Sequence, residues 1–129
     1  MQTNNAKPAI TSSQRALYYW LLTGCLLIFL MVVIGGITRL TGSGLSITDW
    51  KIVTGTLPPL TDSQWQQEFM SYQQTPQYKL VNAHFTLTDF KGIYWWEYLH
   101  RLIGRLIGLV FIIPFIIFYK RKWVSSKLL

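Results

Sequence analysis

Two long apolar runs constrain this chain more than any other feature. The first, Ala16 to Ile37 (ALYYWLLTGCLLIFLMVVIGGI), has no charged residue, and the second, from about Trp96 to Tyr119, carries charge only near its start. Each exceeds the roughly 20 residues that a helix needs to cross about 30 Å of hydrocarbon. Lipid offers a bare backbone no hydrogen-bond partners, so such runs must be helical. The expectation is an all-α membrane protein with two transmembrane helices joined by a long, partly helical outer loop. Composition agrees, since half of the 129 residues are apolar and only 13% are charged, against roughly 25% in an average soluble domain.

The basic residues set an orientation. Lys7 and Arg15 precede the first run, and Lys120, Arg121, Lys122 and Lys127 follow the second. Between the runs, Arg39, Lys51, Lys79 and Lys91 are outnumbered by Asp49, Asp62, Glu68, Asp89 and Glu97. Positive charge favours the cytoplasmic or matrix side, which places both tails (1–15 and 120–129) there and the loop outside. The net charge of +7 thus serves topology and attraction to a lipid bilayer. Nucleic acid is not an expected partner, because the basic residues lie in two short tails rather than on one folded face. Leu22-Thr23-Gly24-Cys25 resembles a lipoprotein cleavage box, but apolar residues continue to Ile37, so the run is read as an uncleaved anchor. Cys25 is the only cysteine; it forms no intrachain disulfide and serves as a small apolar side chain.

The loop, 38–87, is too long and too aromatic for a simple connector. Its first part, Thr38 to Ser46, is rich in glycine and hydroxyls, with positive φ available at Gly42 or Gly44. Thr54-Gly55-Thr56-Leu57-Pro58-Pro59-Leu60 breaks the chain again, and Thr61-x-x-Gln64 then forms a capping box for a helix near 62–74. On it Trp65, Phe69 and Tyr72 fall on one stripe. That stripe packs against the rest of the loop or lies in the outer membrane interface. Pro76 is expected to end this helix, and Thr86-x-x-Asp89 to start the next. A helix over 88–119, about 48 Å long at 1.5 Å per residue, overshoots the hydrocarbon, so its first turns stand outside and its later part spans.

Charge placement on that helix is unusual. Tryptophans 95 and 96 mark the outer interface, which puts His100 about one turn inside and Arg105 a little over one turn deeper. Glu97, His100, Arg101, Gly104, Arg105 and Gly108 recur at spacings of three and four, on one face. Ionisable groups at such depth cost about 2.5–3.5 kcal/mol each on insertion scales and face protein or a polar ligand. The G-x-x-x-G of Gly104 and Gly108 permits close approach of a helix or a flat ligand. Three readings are compatible with the spacing. His100 can supply an axial nitrogen to haem iron while Arg101 and Arg105 pair with propionates. The arginines can instead snorkel, with Glu97, His100 and Arg101 as a structural network. A proton relay through Glu97 and His100 is the third.

Several motifs in order narrow this choice: Gly35-Gly36-Ile37-Thr38-Arg39-Leu40-Thr41-Gly42-Ser43-Gly44-Leu45-Ser46-Ile47-x-x-Trp50, Gly55-Thr56-Leu57-Pro58-Pro59-Leu60, Tyr78-Lys79-Leu80-x-Asn82, Phe90-Lys91-Gly92-Ile93-Tyr94 and Glu97-Tyr98-x-His100-Arg101-x-x-Gly104-Arg105. Over roughly residues 17–118 the chain resembles the start of a haem A synthase of the mitochondrial and proteobacterial branch. The resemblance implies part of an eight-helix bundle made of two four-helix halves, in a bacterial cytoplasmic or mitochondrial inner membrane. It implies an enzyme that oxidises a methyl group of haem O, its substrate haem, to the formyl group of haem A, with haem b bound in the second half of the complete enzyme and haem O synthase as a partner. His100 then matches the first histidine of an N-terminal ligand pair, Glu97 the acidic residue three positions before it, with a role in proton handling or in stabilising a charged intermediate, and Arg101 and Arg105 the accompanying arginines.

Two departures accompany the resemblance. The helix bearing the partner of His100 is not in this sequence, so the chain is expected to be a fragment, a piece of a split protein, or a chain acting beside a second one that carries the partner histidine, and to be inactive alone. The cysteine pair that some bacterial members carry in this loop is missing as well. His84 matches no family motif and is expected at the surface. A non-catalytic membrane module that binds haem or a partner helix during oxidase assembly is the alternative function.

Overall fold

The computed structural model describes residues 10–49, 51 and 54–123. Its elements are four α-helices, α1 (Ser12–Leu40), α2 (Asp62–Gln73), α3 (Pro76–Leu80) and α4 (Leu87–Lys120), with a short 3-10 turn at Thr54–Thr56. Helices α1 and α4, of 29 and 34 residues, are long and apolar enough to cross a membrane. The described residues are all-helical, and the two long apolar helices are compatible with a membrane protein.

Helix α1 extends the apolar run at both ends, because local chemistry does so. Thr11 and Gln14 form a capping box that starts the helix at Ser12. At the other end Thr38 and Arg39 are still helical. Termination comes from a Schellman motif, in which Gly42 N–H donates to the Arg39 carbonyl at 3.2 Å and Ser43 N–H to the Thr38 carbonyl at 2.9 Å. That closure needs a left-handed residue, and of the two loop glycines it is Gly42, at φ 65°, that takes this role.

The two long helices run antiparallel with a register legible from three contacts. A Cβ at Gly104 would meet Met31 Cε at 3.4 Å, one at Gly35 would meet His100 Nε2 at 3.0 Å, and Thr38 Oγ1 lies 3.3 Å from the Trp96 carbonyl. Near their other ends Trp20 Nε1 donates to the Val110 carbonyl at 2.7 Å. That carbonyl belongs four residues before Pro114, which has no N–H to give it. The indole thereby satisfies a group that lipid would leave bare, and its ring packs on Phe111 and Phe118 at centroid distances of 5.3 and 5.4 Å.

The outer loop folds onto the start of α4. Capping boxes at Thr61 with Gln64 and at Thr86 with Asp89 begin α2 and α4. Of the two fates open to the Trp65, Phe69, Tyr72 stripe, packing is the one observed. Trp65 meets Tyr94 at 5.0 Å and Trp95 at 6.0 Å, and Phe69 and Tyr72 meet Phe90 at 5.3 and 5.1 Å. Tyr72 and Phe90 are fully buried, and Asn82 Nδ2 donates to the Tyr72 hydroxyl at 2.8 Å. Helix α2 stops ahead of Pro76, as expected, and the proline also starts α3. Helix α2 closes at Gln73, Thr75 caps the new turn, and the proline occupies a first-turn position where its missing N–H costs nothing.

Candidate functional site

The charged face of α4 turns toward α1 and the glycine-rich turn that follows it. Between them lies a cavity of about 670 Å³ lined by Met31, Gly35, Thr38 and Arg39 of α1, Gly44, and Glu97, His100, Arg101, Gly104 and Arg105 of α4. All four residues expected from the sequence, Glu97, His100, Arg101 and Arg105, therefore meet at one place, because spacings of three and four keep them on one side of a continuous helix.

Glu97 is 3% exposed, and its two oxygens are divided between two tasks. Oε2 accepts from the Ser46 hydroxyl at 2.6 Å, the Ser46 N–H at 2.7 Å and the Ile47 N–H at 2.9 Å. Oε1 takes the ion pair with Arg101 one helical turn on. The carboxylate thus pins the loop to α4. Three donors and a guanidinium stabilise the anion and offset its burial. Arg101 also reaches the Ile47 carbonyl at 3.4 Å.

Deeper along the helix, Arg105 donates to the Lys51 carbonyl at 3.2 Å. This bond draws the descending loop segment over the cavity's edge. His100, half-buried, lies against α1 at Gly35. Three guanidinium groups face one carboxylate around the cavity, so its field favours an anion. Apart from His100, the surfaces near its floor are Met31 and the bare backbone of Gly35 and Gly104.

Other sequence features fall elsewhere. Gly108, the second glycine of the G-x-x-x-G, has nothing within 4 Å of its Cβ position among the described residues, whereas Gly104 meets Met31. His84 is exposed in the loop, edge-on to Phe85 at 5.1 Å. Arg39 and Gly35 were missed as site residues. The available signals were a charge in the last turn of a spanning helix and a glycine inside an apolar one.

Comparison with known proteins gives these positions a context. Residues 18–129 match the model of a family described as cytochrome oxidase assembly protein. Haem A synthase of Flavobacterium psychrophilum is 55% identical over 119 residues, covering 91% of this chain and 35% of that protein. The haem A synthase of Parvibaculum lavamentivorans is 52% identical over 124 residues, 96% of this chain and 36% of its own length, and that of Nitrosomonas eutropha 50% identical over 135 residues, 99% and 38%. The chain spans little more than a third of the length of these relatives. No solved structure matches it. Family match and relatives agree with the motifs gathered around the cavity, and the chain belongs to the haem A synthase family, corresponding to its N-terminal portion.

Proposed function

We propose that this chain forms the His100-bearing wall of the substrate-haem site in a haem A synthase, which oxidises a methyl group of haem O through two hydroxylations to the formyl group of haem A. The observation that carries the reading is the placement of a histidine and three arginines around one cavity of about 670 Å³. A haem needs a nitrogen ligand, room beside it and cations for two carboxylates, and His100, the cavity lined by Gly35 and Gly104, and Arg39, Arg101 and Arg105 offer each of these. A bound haem O would supply the methyl group that is oxidised.

Within that site His100 ligates, and Arg101 and Arg105 bind and orient the propionates. Glu97 holds Arg101 and the Ser46 turn in place, so its first role is positioning. Proton handling, or stabilisation of a charged intermediate, is its second role. The partner histidine and the haem b site belong to further helices of an eight-helix assembly or to a second chain, with haem O synthase as the source of substrate. The enclosing membrane is the bacterial cytoplasmic or mitochondrial inner membrane, with both termini on the cytoplasmic or matrix side.

The test is His100→Ala in the full-length enzyme. Loss of one haem and of haem O conversion is expected; unchanged haem content and conversion overturn the assignment. The family description as an assembly protein favours one alternative, a haem-binding module without catalysis. It is supported if the wild-type full-length protein retains haem but converts no haem O under reducing, aerobic conditions.

A further inference from the structure

We infer that Gly35 is the positioning residue that sets the orientation of the His100 ring. The inference rests on the proposed haem ligation by His100 and adds a residue on the opposite helix. Gly35 and Gly36 are adjacent in α1, yet they differ in surroundings. A Cβ built on Gly35 lies 3.0 Å from His100 Nε2, 3.5 Å from Cδ2 and 3.9 Å from Cε1, whereas one on Gly36 has nothing within 4 Å. The imidazole therefore lies against α1 with the ring edge that bears Nε2, and a side chain at position 35 would crowd it.

Contacts on either side keep α1 close to α4. One turn above, Thr38 Oγ1 lies 3.3 Å from the Trp96 carbonyl; one turn below, Gly104 sits under Met31. A methyl group at position 35 therefore pushes the ring by a few tenths of an ångström. A metal ligand tolerates little of this, since a productive site is held to within about 0.5 Å and 10–20°. Gly35 touches the ligand and not the reacting atoms, so its effect should show in haem spectra.

The experiment uses the full-length protein in membranes, with haem spectra normalised to protein amount, and compares Gly35→Ala, Gly36→Ala and His100→Ala. Expected for Gly35→Ala is a shifted haem absorption and about tenfold weaker haem retention, the scale on which disturbed ligand orientation acts in metal sites. Gly36→Ala should match the wild type. If His100→Ala removes the haem signal but Gly35→Ala leaves it intact, the inference fails and the ligand assignment stands. If His100→Ala changes nothing, the ligand assignment fails and this inference with it. Should Gly35→Ala not accumulate, the double variant Gly35→Ala/His100→Ala decides. Removing the ring makes room for the methyl group, so recovery to the level of His100→Ala supports the contact, and continued absence overturns it.

Discussion

Trp20 donates its indole N–H to the carbonyl of Val110, the group that Pro114 leaves without a partner in its own helix. A side chain of α1 thus completes the backbone of α4. In water such a defect would be hydrated; in hydrocarbon it must be met by protein. The bond locks the register of the two spans at the end away from the cavity.

Replacing Trp20 by Phe keeps an aromatic ring beside Phe111 and Phe118 but removes the donor. The expected loss is about 1 kcal/mol, within the range measured for hydrogen bonds between membrane helices. Pro114→Ala restores the intrahelical N–H, so the double variant should be less destabilised than the sum of the two single changes. Unfolding in bicelles measures all four proteins, and strict additivity would refute the coupling.

Glu97→Ala strips the acceptor from three donors of Ser46 and Ile47 and leaves Arg101 without its carboxylate. Breaking a buried pair from one side costs about 3–5 kcal/mol. Hydrogen exchange should therefore rise first across residues 41–47. Ser46→Ala keeps the backbone N–H bonds and loses only the hydroxyl, for about 1 kcal/mol. Equal exchange rates in the two variants would contradict the division of labour described for Oε2.

Phe90 is fully buried where Phe69, Tyr72 and Trp65 converge. Phe90→Ala is expected to cost about 3–5 kcal/mol and to act locally, opening α2 and α3 to protease while the α1–α4 pair stays closed. Cleavage sites mapped by mass spectrometry should fall between residues 57 and 86.

Burial, and secondarily the charge of Asp49, raises the pKa of Glu68 above its ordinary 4.5. The folded loop then binds a proton more readily than the unfolded one. Its stability contribution is complete below about pH 4.5 and is lost as pH rises through the higher folded value. Glu68→Gln should thus flatten the pH dependence of loop opening above that point and slow exchange in α2 at neutral pH. A steeper dependence in the variant would reverse the sign of the effect.

How far the sequence carried depended on the range of the interaction. The capping boxes at Thr61 and Thr86 and the common face of Glu97, His100, Arg101 and Arg105 are local facts, set within one to three turns of helix, and could be read directly. The bond from Ser46 to Glu97 joins residues 51 apart, and no periodicity records which turn a carboxylate will meet. Gly35 and Arg39 enter the site through the register between two helices, which only packing fixes. Trp20 is an intermediate case. A proline in a membrane helix announces an orphan carbonyl four residues earlier, and the search for its donor can begin from sequence, although the answer comes from the fold. The short helix that Pro76 opens was missed for another reason, since the same ring that bars a helix interior is welcome in a first turn.

Helix α4 passes from the aromatic cap into the cavity wall without interruption, its 34 residues amounting to roughly 51 Å at 1.5 Å each. Phe90 and His100 are therefore fixed in angle as well as in distance, like two teeth cut on one shaft. Inserting or deleting a single residue between them turns one against the other by about 100°. Either the loop loses its seat on Phe90 or the imidazole leaves Gly35. The segment between the two is thus metrically closed: its length cannot change.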